Sequence, residues 1–275
     1  MQIPPGKYFI SHSYSDESFR RNLLKKVPKV VKPHVFPPIQ VSPDKFVSSR
    51  LMDSILGCDG LIYLNGGHSM HSFWVAFERD YALRADLPVY AATPVGYNFE
   101  FKRHNGSALD LQVYASSTAK DAAQAQEIIA HMRGQRYFNV ADYETLPPWR
   151  EDFRKLLRAS IIEKMNKGGY LVVFWSKNAA ESKNIAYTLE FGFEYGQSLT
   201  LHPENPNQDR VLIAALDDTP LPDWLQQRVG AEDTFTKPVQ LWEDDHLSRA
   251  NRIDNLVMRL YWLIFHNQYH EMHDE

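Results

Sequence analysis

The chain has 275 residues, of which 44% are hydrophobic, so it can bury one large core or two smaller ones. Its 30 Lys and Arg side chains against 34 Asp and Glu give a net charge of −4, which excludes a strongly basic nucleic-acid-binding protein. Cys58 is the only cysteine, which excludes an internal disulfide and a cysteine-rich zinc site.

The sequence also carries no pattern typical of secretion or membrane insertion. The opening MQIPPGKYF lacks the basic start and apolar run of a signal peptide. The longest apolar run, residues 170–175, is too short to span a bilayer. We therefore expect a cytoplasmic protein that binds neither nucleic acid nor membrane and holds no metal.

The first hundred residues alternate between short apolar strands and amphipathic helices. Residues 8–11 (YFIS) predict a strand that runs into the polar loop SHSYSD and then a helix. Further strands are predicted at 34–36, 61–64 (LIYL) and 87–92 (LPVYAA), with helices between them. Apolar strands alternating with helices predict a parallel sheet with helices on both faces.

The same order of elements then begins again. The polar stretch from Thr93 to Asp110 predicts an irregular linker, after which LQVYASSTAKD (111–121) parallels KYFISHSYSD (7–16). The pairs Ser11 and Ser116, Leu61 and Leu171, and Glu78 and Glu190 are 105, 110 and 112 positions apart. These similar offsets predict a duplicated unit, with domains at 1–107 and 108–275, the second ending in a long helix from Ser248.

One predicted helix, which follows LIYL, carries an acid among apolar side chains. Ser72 can cap this helix, and at about 100° per residue its apolar side chains form one arc. The arc consists of Trp74, Val75, Phe77, Tyr81 and Ala82. Glu78 falls inside the arc, whereas Arg79 and Asp80 are predicted to point away. Because an unpaired buried charge costs roughly several kcal/mol, Glu78 is either paired, bonded to backbone at the rim, or kept for chemistry.

Two groups of residues carry a resemblance to a known family. The first is an apolar strand that ends in Ser-x-Ser and an acid, and the second is a serine, a tryptophan and a glutamate four residues later. They comprise Phe9, Ser11, Ser13 and Asp16, followed by Ser72, Trp74 and Glu78. In this order and strand context, the first half resembles a bacterial TIR domain (Toll/interleukin-1 receptor).

The second half resembles the family through its strands, through Glu190 and through VLIAALDDTPLPDWL (211–225). It departs from the pattern at two places. Ala186 stands where the first half has Trp74, and Ser117-Thr118 replace His12-Ser13. The resemblance implies two flavodoxin-like TIR-type α/β domains in tandem, with any activity centred in the first.

Many bacterial and plant TIR domains cleave NAD at the nicotinamide–ribosyl bond, giving ADP-ribose or a cyclic isomer, and some act in antiviral defence. The resemblance therefore implies that NAD is a substrate and not a cofactor, and that the partners are copies of this chain or other TIR domains. It implies a catalytic Glu78 and, as a second-copy candidate, Glu190. The expected substrate-binding residues are Phe9, Ser11, Ser13, Asp16, Ser72 and Trp74.

Alternatives remain open on the sequence alone. Trp74 at helical spacing is typical of a core residue, and the loop serines are typical of helix caps. For the whole protein, two alternatives are a catalytically silent TIR pair that acts as a scaffold and an enzyme similar to nucleoside deoxyribosyltransferases.

Overall fold

A computed structural model describes residues 3–36, 47–109, 112–134, 139–142, 152–199, 210–229, 238–242 and 249–273. The chain divides into two compact units, residues 1–109 and 110–275. This division lies two residues beyond the boundary that the sequence predicts. We call them the first and the second unit and describe each by itself.

The first unit is a five-stranded sheet flanked by helices. In chain order its elements are β1 (Gly6–Ser11), α1 (Glu17–Lys26), β2 (Val31–His34), α2 (Val47–Leu56), β3 (Gly60–Leu64), α3 (Phe73–Arg84), β4 (Val89–Val95) and β5 (Asn98–Arg103). The strand order is β2-β1-β3-β4-β5, in which β1 to β4 are parallel and β5 is antiparallel to β4. This is the flavodoxin-like order.

The second strand begins earlier than predicted. The sequence prediction of 34–36 is wrong, because β2 covers Val31–His34 and contains Pro33. Strand β2 pairs only with β1 and lies at the edge of the sheet. An edge position tolerates a proline, which cannot donate a ladder hydrogen bond.

The predicted linker at Thr93–Asp110 is also largely wrong, because most of it forms a β-hairpin. Strand β4 continues to Val95, and β5 pairs with it along its length. Gly96 makes the turn with φ at 57°, a left-handed conformation that glycine adopts without strain. In β5, Phe99 and Phe101 pack against the core while Glu100 lies in solvent, so the alternation of period two was present in the sequence.

The two faces of β1 have different surroundings. Tyr8 and Ile10 join a buried cluster with Leu23 of α1 and Ile62 of β3. Since side chains alternate along a strand, Ser11 points to the opposite face. Helix α3 packs on that face, where it contacts β1, β3 and β4.

The second unit repeats the architecture. Its elements are β6 (Gln112–Ser116), α4 (Ala122–Gly134), β7 (Asn139–Asp142), α5 (Phe153–Asn166), β8 (Tyr170–Trp175), α6 (Lys177–Ala180), α7 (Lys183–Ser198), β9 (Val211–Ala215), α8 (Asp223–Arg228), β10 (Val239–Gln240) and α9 (Arg249–His273). The order β7-β6-β8-β9-β10 is parallel throughout and equivalent to that of the first unit. The predicted α/β class with two flavodoxin-like domains is confirmed.

The last helix, α9, packs within the second unit against α4 and β10. Its buried side chains include Leu256, Leu260 and Tyr261. In the parts of the chain that the structure describes, no helix is both long and apolar enough to cross a membrane.

Candidate active site

The candidate site lies at the carboxyl ends of β1 and β3. These strands are neighbours, but the chain leaves β1 toward β2 on one side and continues beyond β3 toward β4 on the other. In open α/β sheets, ligands bind outside the carboxyl ends of the strands at this reversal of strand order. The loop after β1 and the loop after β3 meet here.

Asp16 ties these two loops together. Its buried carboxylate accepts hydrogen bonds from the backbone N–H of His68 at 3.1 Å and from both the backbone N–H and the hydroxyl of Ser69 at 2.6 Å. The hydroxyl oxygen of Ser69 in turn accepts from the backbone N–H of Ser13 at 2.8 Å. We call Ser13, Asp16 and Ser69 the first-unit clamp.

Gly67 makes the clamp possible. Its φ is +59°, and a Cβ atom added there would lie 2.5 Å from Oδ1 of Asp16. Any larger residue would therefore push the loop away from the carboxylate. Of the clamp residues, Ser13 and Asp16 are predicted to bind substrate, and the structure gives both of them a role in shaping the site.

Glu78, the predicted catalytic residue, lies in the second turn of α3 and is only 8% exposed. Burial raises the pKa of its carboxyl group to about 8. The Ser11 hydroxyl partly offsets that rise, although Oγ of Ser11 makes no hydrogen bond of good geometry. Among the described residues no cation pairs with Glu78, so the carboxyl group is desolvated and its charge is not neutralised.

Tyr14 is the other titratable side chain close to Glu78. Burial raises the pKa of its phenol, the charge of Glu78 raises it further, and Arg20 acts in the opposite direction. The side chain is nevertheless 52% exposed. Tyr14 is therefore an exposed residue within electrostatic range of the buried acid.

Stacked aromatic rings support α3. The rings of Phe77 and Tyr81 stack with centroids 5.9 Å apart, and Phe73 stacks on Phe77 at 6.2 Å. Trp74 is half-buried and meets Phe73 edge-on at 5.2 Å. Ser72 occupies the N-cap position, but within the described chain its side chain makes no capping hydrogen bond.

Two other predictions concern residues near the site. Phe9 is fully buried and packs against the ring of His34 at 6.1 Å, so it belongs to the core below the site. The prediction that Asp80 points away is wrong, since it is buried, pairs with Arg84 at 2.7 Å and accepts from the backbone N–H of Leu109 at 2.6 Å. Asp80 holds the end of the first unit against α3.

Sequence reasoning missed four residues of the site. Ser69 belongs to the clamp, Tyr14 lies near Glu78, and His12 and Arg20 each carry a buried nitrogen without a hydrogen-bond partner in the described structure. For Tyr14, His12 and Arg20, the signal in the sequence was the density of polar side chains in SHSYSDESFRR (11–21) at the end of a buried strand, and Ser69 had no such signal.

The second unit has an equivalent clamp. The buried carboxylate of Asp121 accepts hydrogen bonds from the hydroxyls of Thr118 and Ser176, both at 2.6 Å, and from the side-chain amide of Asn178 at 2.7 Å. Asp121 follows Asp16 by 105 positions, the same offset that separates Ser116 from Ser11. The loops after β6 and β8 are therefore joined as in the first unit, but by side-chain donors alone.

The helix caps align Glu78 with a threonine in the described part of the second unit. Ser182 caps α7 by accepting from the backbone N–H of Ile185, and it follows Ser72 by 110 positions. The same offset aligns Glu78 with Thr188, which is 2% exposed and donates its hydroxyl to the carbonyl of Asn184 at 2.8 Å. Glu190, the residue that the sequence offset of 112 selects, is exposed.

No protein-family model matches the chain, and no curated protein matches its sequence. In the described residues, no group of three or more His, Cys, Asp or Glu side chains is arranged to hold a metal ion.

Proposed function

We propose that this protein is a TIR-type enzyme that consumes NAD by breaking its nicotinamide–ribosyl bond. The observation that supports the proposal is Glu78. It is a buried carboxylate with no cationic partner in the described chain, beside the carboxyl end of β1 where the strand order reverses. Such a group is costly to keep unless its charge is used.

The reaction needs one anion and no general acid. Nicotinamide leaves as a neutral base from a pyridinium, and the ribosyl carbon develops positive charge. A carboxylate in a dry site stabilises that charge far more than it would in water. Attack of water on the ribosyl carbon then gives ADP-ribose and a proton, and attack by a nitrogen of the adenine gives a cyclic isomer.

The raised pKa of Glu78 couples substrate binding to proton release. With a pKa of about 8, the carboxyl group of the empty site is mostly protonated at neutral pH. A bound pyridinium favours the carboxylate and lowers this pKa. The apparent affinity for NAD should therefore increase as pH rises toward 8.

By resemblance, the activity would serve bacterial antiviral defence or signalling, with the chain associating with itself or with other TIR domains. The alternative of a silent scaffold predicts no turnover, and the deoxyribosyltransferase alternative predicts exchange between a nucleoside and a free base.

The test is nicotinamide release from NAD by the purified full chain, with Glu78→Gln beside the wild type. Glutamine keeps the shape and removes the charge. Turnover by the wild type and its loss in Glu78→Gln support the proposal. Undiminished release by Glu78→Gln, or base exchange without NAD cleavage, would overturn it.

A further inference from the structure

Along the chain, unpaired polar atoms are concentrated at the end of β1 and in the loop and helix that follow it. Among the side chains that the structure describes, four carry a buried nitrogen or oxygen without a hydrogen-bond partner of good geometry. Three of these atoms belong to the end of β1 and to α1, namely Oγ of Ser11, Nε2 of His12 and Nε of Arg20. Because buried polar atoms in native proteins are nearly always paired, such a cluster indicates where a ligand would supply the partners.

Arg20 brings a poorly compensated positive charge to this cluster. Its Nη2 lies 3.4 Å from Oε1 of Glu17, whereas Nη2 of Arg21 lies 2.6 Å from the same oxygen. Arg21 is therefore the main partner of Glu17. The side chain of Arg20 is 21% exposed and that of Arg21 is 68% exposed, so Arg20 is the more enclosed cation. Arginine matches the oxygens of a phosphate through its planar set of donors.

His12 offers an acceptor rather than a second cation. Burial lowers the pKa of its imidazole and the charge of Arg20 lowers it further, so the ring is neutral at neutral pH. Nδ1 lies 3.3 Å from the carbonyl oxygen of Ile10, which requires the proton on Nδ1. Nε2 is then an unprotonated acceptor that suits a hydroxyl group.

Tyr14 connects this cluster to the acid. Its ring meets that of His12 edge-on at 5.6 Å, and its phenol interacts with the charges of both Glu78 and Arg20. A cation and an acid thus flank one exposed side chain. Tyr14 is therefore in contact with His12 and within electrostatic range of both Arg20 and Glu78.

We infer that Arg20 and His12 form a ribose-phosphate subsite beside Glu78, in which Arg20 binds a phosphate oxygen and His12 accepts from a ribose hydroxyl. The inference rests on the proposed function, since it takes Glu78 to face the cationic end of the same ligand. The chemical class that fits is a phosphorylated ribose bearing a positively charged base.

The test separates phosphate recognition from bond cleavage. ADP-ribose carries the phosphates and ribose without the cation, and its binding to the full chain is measured by calorimetry. We expect Arg20→Gln to weaken that binding at least tenfold and His12→Phe about threefold. Arg21→Gln, the matched control on the same helix, should change it less than twofold.

Kinetics provide a second readout. For NAD, Arg20→Gln should raise KM about tenfold with little change in kcat, because a phosphate contact is made equally in the ground and transition states. For nicotinamide riboside, which has the same scissile bond and no phosphate, Arg20→Gln should have no effect. If Arg20→Gln does not fold, Arg20→Lys tests the same contact, since it keeps the charge and loses the planar donors.

Each outcome decides one question. Equal ADP-ribose binding by wild type and Arg20→Gln, or no binding by the wild type, would overturn the subsite. Arg20-dependent binding of ADP-ribose without any nicotinamide release would keep the subsite and remove the proposed activity.

Discussion

The two units share one architecture, and one buried position distinguishes α3 of the first unit from α7 of the second. Both join the loop after their first strand to the loop after their third through a buried aspartate, Asp16 in one and Asp121 in the other. In the helices that follow the clamps along the chain, α3 buries Glu78 and α7 buries Thr188 at the aligned position. The clamp therefore belongs to the architecture, whereas at the aligned helix position the first unit has an acid and the second a threonine.

Burying Glu78 in the first unit costs more free energy than burying Thr188 in the second. Thr188 satisfies its hydroxyl within its own helix, so it costs little to bury. Glu78 has only the Ser11 hydroxyl to offset its burial, so it must stay protonated or carry a charge that no cation in the described chain neutralises. The first unit thus gives up stability at a position where the second does not, as is typical of functional sites.

The largest expected effect is on the pH dependence of stability. The folded-state pKa of Glu78, about 8, exceeds the ordinary value of 4.5, so the folded chain binds more protons between these limits. Its stabilisation is present below pH 4.5 and is lost as pH rises toward and through 8. From pH 5 to 9, wild type should lose about 4 kcal/mol relative to Glu78→Gln in urea unfolding. Parallel curves for the two proteins would contradict the buried state of Glu78.

The next largest effect is expected on the free energy of unfolding when the aspartate of either clamp is removed. Asp16→Ala leaves two backbone N–H groups and a hydroxyl without their acceptor, which should cost about 3 kcal/mol of unfolding free energy. Asp121→Ala should cost less, about 1.5 kcal/mol, because its donors are side chains that can rotate to other partners. Hydrogen exchange of the strand amides in each unit measures the two losses separately. A larger loss for Asp121→Ala would reverse the comparison.

Glu78 and Glu190 should differ in how strongly their substitution lowers the rate of nicotinamide release. Glu78→Gln should lower nicotinamide release per folded molecule by about a hundredfold, equivalent to about 2.7 kcal/mol. Glu190→Gln should remain within twofold of wild type, because Glu190 is exposed on α7. Equal losses in both variants would overturn the assignment of catalysis to Glu78 of the first unit alone.

The smallest expected difference is between the stability losses caused by removing the two helix-cap serines. Ser182 accepts a hydrogen bond from Ile185 and Ser72 makes no such bond at α3 in the described structure. Ser182→Ala should therefore cost about 1 kcal/mol and Ser72→Ala about 0.3 kcal/mol. Thermal unfolding of the two variants checks the order, and the reverse order would indicate that Ser72 caps α3 in solution.

The sequence predicted what local patterns encode. Apolar strands between amphipathic helices gave the sheet, and the helical arc placed Glu78 inside the core. The clamp escaped prediction because Asp16 and Ser69 are 53 positions apart and neither has a distinctive neighbour. Thr188 was missed because the sequence offset matched one acid with another, while the helix caps fix a different alignment.

The antiparallel strand β5 determines where the first unit ends. Because β5 runs against β4, its last residue, Arg103, lies beside Tyr90 near the amino end of the sheet. Asp80 and Arg84, at the far end of α3 from the clamp, then bind Leu109. The chain thus leaves the first unit at the pole opposite the candidate site. Substitutions at Leu109 therefore act at the opposite end of α3 from the loops that shape the candidate site.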